Sequence, residues 1–312
     1  IITMLKHAVR ILDGGMGREL ERRNAPFRQP EWSALALIEA PEIVTEVHQA
    51  FINNGAQLIT SNSYALVPFH IGEERFSSDG FSLANFAGQI ARQAVINSNH
   101  PETLVAGSLP PLFGSYRADL YQPKQAVNIA TPLIQGLAPY VDIWLAETQS
   151  LIEEALELHR LVKALDKNDR PFWVSFTLED SEQTAPAALR SGQSVEDAVK
   201  QMATSGVSAI LFNCCQPEVI EEALHVAKRT LIKLDQPNIE LGAYANAFPP
   251  QPKTATANDG LDELRDDLTP LNYLLWAERW QQQGASLIGG CCGIGPEHIA
   301  LLSQHFARSE VC

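Results

Sequence analysis

The chain has 312 residues, a hydrophobic fraction of 45%, a charged fraction of 19% and a formal net charge of -14. That charge argues against nucleic acid or anionic membrane as the main partner, because binding phosphate needs clustered Lys and Arg. No apolar run approaches the roughly 18 residues needed to cross a bilayer, and the length suits one large α/β domain or two medium ones.

The opening stretch IITMLKHAVRILDGG carries Lys6 and Arg10 but lacks the apolar region and small-residue cleavage site of a secretory signal. Met4 reads as the native start, and a cytoplasmic, reducing location is the expectation. In such a setting clustered thiols are more often metal-binding or catalytic than disulfide staples.

From there a short apolar run followed by a turn and a helical segment recurs eight times. The first run is VRIL (9–12), and the helix PEIVTEVHQAFINNG that precedes the second ends at Gly55. QLITS (57–61) and LVAGS (104–108) follow, then a long insert, PPLFGSYRADLYQP. DIWLAE (142–147) and FWVSF (172–176) come next, before a segment in which Ser194 and Asp197 form an N-terminal capping pair and Gly206 ends the helix. AILFN (209–213) and IELGAY (239–244) lead into a second insert, ANAFPPQPKTATANDGLDELRDD. Thr269 and Pro270 then fit N-cap and N1 of a helix, SLIGG (286–290) is the last run, and a final helix starts near Pro296.

Nearly continuous apolar runs suit parallel strands buried on both faces. Eight β–α units predict an α/β fold, a single (β/α)8 TIM-type barrel over residues 4–308, with no second domain and with loop insertions at its C-terminal face. An open doubly wound sheet is the runner-up. Each insert reads equally as a binding loop or lid and as a tolerated surface insertion.

In a barrel the chemistry lies at the C-terminal strand ends. Those positions hold Asp13, Asn62, Ser108, Glu147, Thr177, Asn213 with Cys214, Tyr244 with Asn246, and Cys291 with Cys292. Asp13 reads equally as a turn residue, and the asparagines as helix caps or loop anchors. Glu147 closes an apolar run and is costly to bury unpaired, which favours a ligand-facing role.

Four of the five cysteines sit in two dipeptides, Cys214–Cys215 and Cys291–Cys292. Strands six and eight of a barrel are separated by one strand, so their ends can face one site. Three thiolates can hold Zn²⁺ and leave a fourth position open, the arrangement of catalytic zinc. Gly289, Gly290, Gly293 and Gly295 would let both neighbouring sulfurs reach one ion. Cys215 is set aside because an extended chain would point it away from Cys214, and Cys312 because disorder is the expectation at a chain end. Inert buried thiols, a redox disulfide between the pairs, and a glycine-rich phosphate site remain as other readings of these segments.

The motifs LDGGMG (12–17), ITSNSY (59–64), VAGS (105–108), LAET (145–148), LRSGQS (189–194), FNCC (212–215) and GGCCGIGPEHI (289–299) resemble the homocysteine S-methyltransferase family, in order and over essentially the whole chain. The NC and GGCCG elements are the specific part. The resemblance implies a (β/α)8 barrel and zinc held by Cys214, Cys291 and Cys292. It also implies that Asp13 and Glu147 contact the amino group of homocysteine. Asn62, Ser108, Asn213 and Tyr244, from their places at the strand ends, are the other expected substrate contacts.

Stand-alone members similar to this chain use S-methylmethionine or S-adenosylmethionine as methyl donor. Betaine, methyltetrahydrofolate, a different thiol or selenol acceptor, and a non-catalytic zinc or redox barrel are the alternatives. Three departures from the family pattern fall at the barrel mouth: Arg18 after GGMG, LPPLFGSYRADLY after Ser108, and Ala245 between Tyr244 and Asn246. They bear on the donor rather than on the zinc site. Tyr64, Phe113, Tyr116 and Tyr244 are candidates to cage a sulfonium by cation–π attraction, or to pack the core or a lid.

Overall fold

The structure, a computed structural model, describes residues 8–181, 186–257 and 263–308. The expected start at Met4, Lys6, residues 258–262 of the second insert and Cys312 lie outside the described residues.

Strand β1 (Arg10–Ile11) leads into α1 (Met16–Arg22), α2 (Ser33–Glu39) and α3 (Pro41–Asn53). After β2 (Leu58–Thr60) come α4 (Pro68–Ile71) and α5 (Glu73–Ile96), and after β3 (Leu104–Leu109) comes α6 (Pro123–Leu137). The remaining units are β4 (Ile143–Gln149) with α7 (Ile152–Leu165), β5 (Phe172–Phe176) with α8 (Val195–Ser205), and β6 (Ala209–Asn213) with α9 (Pro217–Lys233). β7 (Glu240–Tyr244) with α10 (Pro270–Gln282) and β8 (Ala285–Ile288) with α11 (Pro296–Arg308) complete the chain.

The predicted caps form. Ser194 Oγ accepts from the Asp197 amide at 3.0 Å and Thr269 Oγ1 from the Asn272 amide at 3.3 Å. Gly206 ends α8 at φ +90°, a backbone conformation that side chains with a Cβ disfavour.

All strand pairings are parallel, and the order β1-β8-β7-β6-β5-β4-β3-β2 follows the chain around a ring. The parallel bridge Leu12↔Leu58, with the Gln57 amide donating to the Ile11 carbonyl at 2.7 Å, joins the two ends. This is a (β/α)8 barrel, and the sequential order removes the doubly wound alternative, which needs a switch point.

Strand side chains alternate between two cores, as a period of two requires. Outward residues such as Val105, Trp144, Val174 and Phe212 pack against the helices. Inward residues Leu12, Leu58, Ala106, Leu145, Trp173, Leu211 and Leu287 fill the barrel. The same alternation brings Ser108, Glu147, Ser175, Asn213 and Tyr244 onto the inner face at the C-terminal rim, directly above this apolar plug.

Candidate active site

At the rim the polypeptide turns sharply at Cys214. An extended residue after inward-facing Asn213 would point outward, but Cys214 adopts φ +55°. Thr177 Oγ1 donates to the Cys214 carbonyl at 3.1 Å and the Cys214 amide to the Tyr244 carbonyl at 3.3 Å, which pins the turn. Cys214 is thereby brought back to the mouth, and Cys215, fully buried, joins the outer core.

A second turn presents Cys291 and Cys292. The Cys291 amide donates to the Ala245 carbonyl at 2.8 Å, the Ala247 amide to the Cys292 carbonyl at 2.8 Å, and Gly293 takes φ +82°. Gly15 runs so close that a Cβ there would lie 2.5 Å from the Cys291 carbonyl oxygen.

The Sγ atoms of Cys214, Cys291 and Cys292 lie within 4.8 Å of one another. Sulfurs sharing a tetrahedral metal ion with bonds of about 2.3 Å sit roughly 3.8 Å apart, so small side-chain shifts suffice for them to hold one ion. Hydrogen bonds from Cys291 and Cys292 hold the Cys214 thiol well below its usual range, while sharing a proton with Cys214 pushes Cys291 up. Tyr116 Oη donates to Cys214 Sγ at 3.1 Å, and Asn246 Nδ2 reaches the same sulfur at 3.9 Å.

Beside the thiols lie two carboxyl groups, Asp13 buried and Glu147 partly buried. Glu147 accepts from Ser108 Oγ at 2.8 Å and Tyr244 Oη at 3.0 Å. Burial pushes its pKa up to about 7 against those bonds, and the charge on Cys214 adds to the rise. Asp13 accepts from the Thr60 amide at 2.8 Å and Thr60 Oγ1 at 3.3 Å, and burial with the nearby Glu147 charge lifts it to about 8. Among the described residues no Lys or Arg lies within salt-bridge reach of either. A cationic group entering here would be held by two carboxylates that burial has stripped of water.

These groups open into a cavity of about 350 Å³. Asp13, Asn62, Glu147, Tyr244 and the three clustered cysteines line it. Ser108 and Asn213 lie one layer beneath the lining. Ser108 holds Glu147, and Asn213 accepts from Ser175 Oγ at 2.6 Å and the Thr148 amide at 3.0 Å while its Nδ2 reaches Cys291 Sγ at 4.0 Å. As placed, both support the residues that face the cavity. Asn62, though in the wall, donates to the Ser33 carbonyl at 3.1 Å.

Of the four aromatics expected at the mouth, Tyr64, Tyr116 and Tyr244 line the cavity, whereas Phe113 packs edge-on against Tyr121 in the insert. Phe27, Trp32 and Phe248 supply the missing apolar wall, and Arg18 stands over the Phe248 ring at 5.2 Å. The wall residues missed by sequence reasoning come from loops whose path no periodicity encodes. The second insert forms part of this wall through Phe248, Gln251 and Pro252, and Asp180 anchors it by accepting from the Gln251 and Gln216 amides at 3.1 Å each.

Comparison with known proteins agrees with the geometry. The family model for homocysteine S-methyltransferase matches residues 10–306. A homocysteine S-methyltransferase of Escherichia coli is 30% identical over 320 residues, covering 95% of each chain. A selenocysteine Se-methyltransferase of Brassica oleracea is 26% identical, covering 94% of this chain and 88% of its own. The crystal structure of the metallated homocysteine methyltransferase MmuM from Escherichia coli matches with a TM-score of 0.74 at 28% identity, covering 96% of this chain and 97% of that one. A match that takes in both cysteine-bearing turns and all eight strands leaves one assignment: the chain belongs to the homocysteine S-methyltransferase family of enzymes.

Proposed function

We propose that the enzyme moves a methyl group from a sulfonium donor, S-methylmethionine or S-adenosylmethionine, to the thiol of homocysteine, giving methionine. One observation carries this reading: three clustered thiols share a cavity with two carboxyl groups that have no cationic partner among the described residues. Three soft anionic donors without a carboxylate among them fit Zn²⁺, and Cys214, Cys291 and Cys292 would hold it. Bound there, zinc would supply the Lewis acidity that keeps a substrate thiol deprotonated at neutral pH.

The protein's own groups do the rest. Glu147 and Asp13 bind the homocysteine ammonium and so fix the acceptor sulfur beside the cysteines. Ser108 and Tyr244 hold the Glu147 carboxylate in place, and Thr60 holds Asp13. The apolar wall excludes water, which strengthens the attraction between the thiolate and a cationic donor. In the transfer the sulfur forms a bond to the methyl carbon, the donor C–S bond breaks with its electron pair staying on the donor sulfur, and the thiol proton passes to solvent. With S-methylmethionine both products are methionine.

The similarity to a selenocysteine Se-methyltransferase favours one second reading, a selenol acceptor at the same site. We place the enzyme in the cytoplasm, where reducing conditions keep these cysteines as free thiols. No helix among the described residues is long and apolar enough to cross a membrane.

The test is metal analysis of the purified protein together with a donor panel of S-methylmethionine, S-adenosylmethionine, betaine and methyltetrahydrofolate. About one zinc per chain and methionine formation from a sulfonium are expected. Activity restricted to betaine or folate would overturn the donor assignment.

A further inference from the structure

The cavity wall also holds a histidine that the acceptor site does not use. His70, on α4, is 3% exposed and lines the cavity. Its Nδ1 lies 3.0 Å from the Pro30 carbonyl, and the ring packs edge-on against Phe69 with centroids 5.1 Å apart. A carbonyl only accepts, so Nδ1 carries the proton and donates. Burial pushes the imidazole down to about 4, so the ring is neutral at physiological pH and Nε2 holds a free lone pair.

Among the described residues no protein group bonds to Nε2, yet it is not among the buried polar atoms sealed without a partner. On a cavity-lining residue this atom therefore faces the open space.

Its position sets which ligand it meets. In a ring of eight sequentially ordered strands, β2 stands across the barrel from β6. Cys214 follows β6 and His70 follows β2, so the two approach the cavity from opposite sides. The homocysteine ammonium, in the reading above, stays with Asp13 and Glu147 near the thiols. A methyl donor has its reactive carbon at the thiol cluster and its far end directed across the mouth.

We propose, resting on that reading of the function, that His70 is a specificity residue for the donor. Its Nε2 accepts a hydrogen bond from the ammonium of an amino-acid sulfonium. It thereby favours donors with an N–H group over those, such as trimethylammonium carboxylates, that have none. The neutral tautomer fixed by Pro30 makes it an acceptor, which an imidazolium is not.

Two sulfoniums isolate the interaction: S-methylmethionine and 4-(dimethylsulfonio)butanoate, which differ by the ammonium alone. Wild-type enzyme should favour S-methylmethionine in kcat/KM by about tenfold to a hundredfold, the range for a hydrogen bond to a charged group. His70→Phe should bring the two donors close to parity by raising KM for S-methylmethionine, with KM for homocysteine unchanged. His70→Gln, which offers an amide oxygen as acceptor, should restore most of the preference. A preference that persists in His70→Phe overturns the proposal, and parity in the wild type does so without any variant. Transfer from neither sulfonium by the wild type would overturn the donor reading itself, and this inference with it.

Discussion

The barrel carries charged groups at both ends, and the two ends treat them differently. At the N-terminal end Arg10 Nη2 meets Glu240 Oε1 at 2.6 Å, Ser286 Oγ donates to the other Glu240 oxygen at 2.7 Å, and Arg10 lies 5.4 Å from the Trp173 ring centroid. Both charges of this pair are satisfied. At the C-terminal end Asp13 and Glu147 have hydrogen-bond donors but, among the described residues, no cation, and three thiols crowd beside them. A closed network stabilises a fold. An open one, in the proposed reading, gives up stability to keep a site for a cationic ligand and a metal, as functional sites commonly do.

The largest effect expected from this contrast is at the thiols. Cys214→Ala or Cys291→Ala should abolish both metal content and turnover, while Cys215→Ala, altering only the outer core, should keep the metal. Full zinc retention in the first two variants would erase the distinction between the ends. Next comes Glu147→Gln, which keeps the shape but removes the charge. KM for homocysteine should rise about tenfold to a hundredfold, the value of a charge-assisted hydrogen bond, with metal content unchanged.

A smaller effect is a stability profile opposite to ordinary acid denaturation. Glu147, raised from 4.5 to about 7, and Asp13, raised from 3.8 to about 8, bind protons more tightly in the folded state than in the unfolded chain. Their contribution to stability is therefore fully present below pH 4 and is lost as pH rises toward 8. Thermal melting of the metal-free, ligand-free protein should show a loss of several kcal/mol from these groups, at about 1.4 kcal/mol per pKa unit. Glu147→Gln should flatten part of the slope, and homocysteine should oppose it at high pH. A melting temperature that rises from pH 5 to 8 equally in wild type and Glu147→Gln would contradict the open-network account. The smallest effect is at the closed end, where Arg10 is partly exposed. Arg10→Met should cost about 1 kcal/mol or less and leave kcat/KM unchanged.

How much of the site was legible can be seen at Cys214 and Cys215. Their clustering with Cys291 and Cys292 at strand ends pointed to a shared metal site. Setting Cys215 aside rested on an extended chain, whereas the chain leaves the extended region one residue earlier, at φ +55°. Nothing in FNCC announces that turn, because it is imposed by Thr177 and Tyr244 from neighbouring strands. Ser108 and Asn213 show the same limit. Their rim position follows from alternation, but register decided that one holds Glu147 and the other Thr148. His70 carried no signal at all in its local stretch, VPFHI.

The sequence by itself determined the number of β–α units, the apolar runs that form the strands, the caps at Ser194 and Thr269, and the clustering of four cysteines in two dipeptides. All of these depend on local spacing, which the chain carries within a few residues. Only the tertiary structure decided which sulfurs converge, which polar groups face the cavity rather than support it, and how His70 is oriented by Pro30. Those outcomes depend on contacts between segments distant along the chain, whose geometry is set by barrel closure and loop packing.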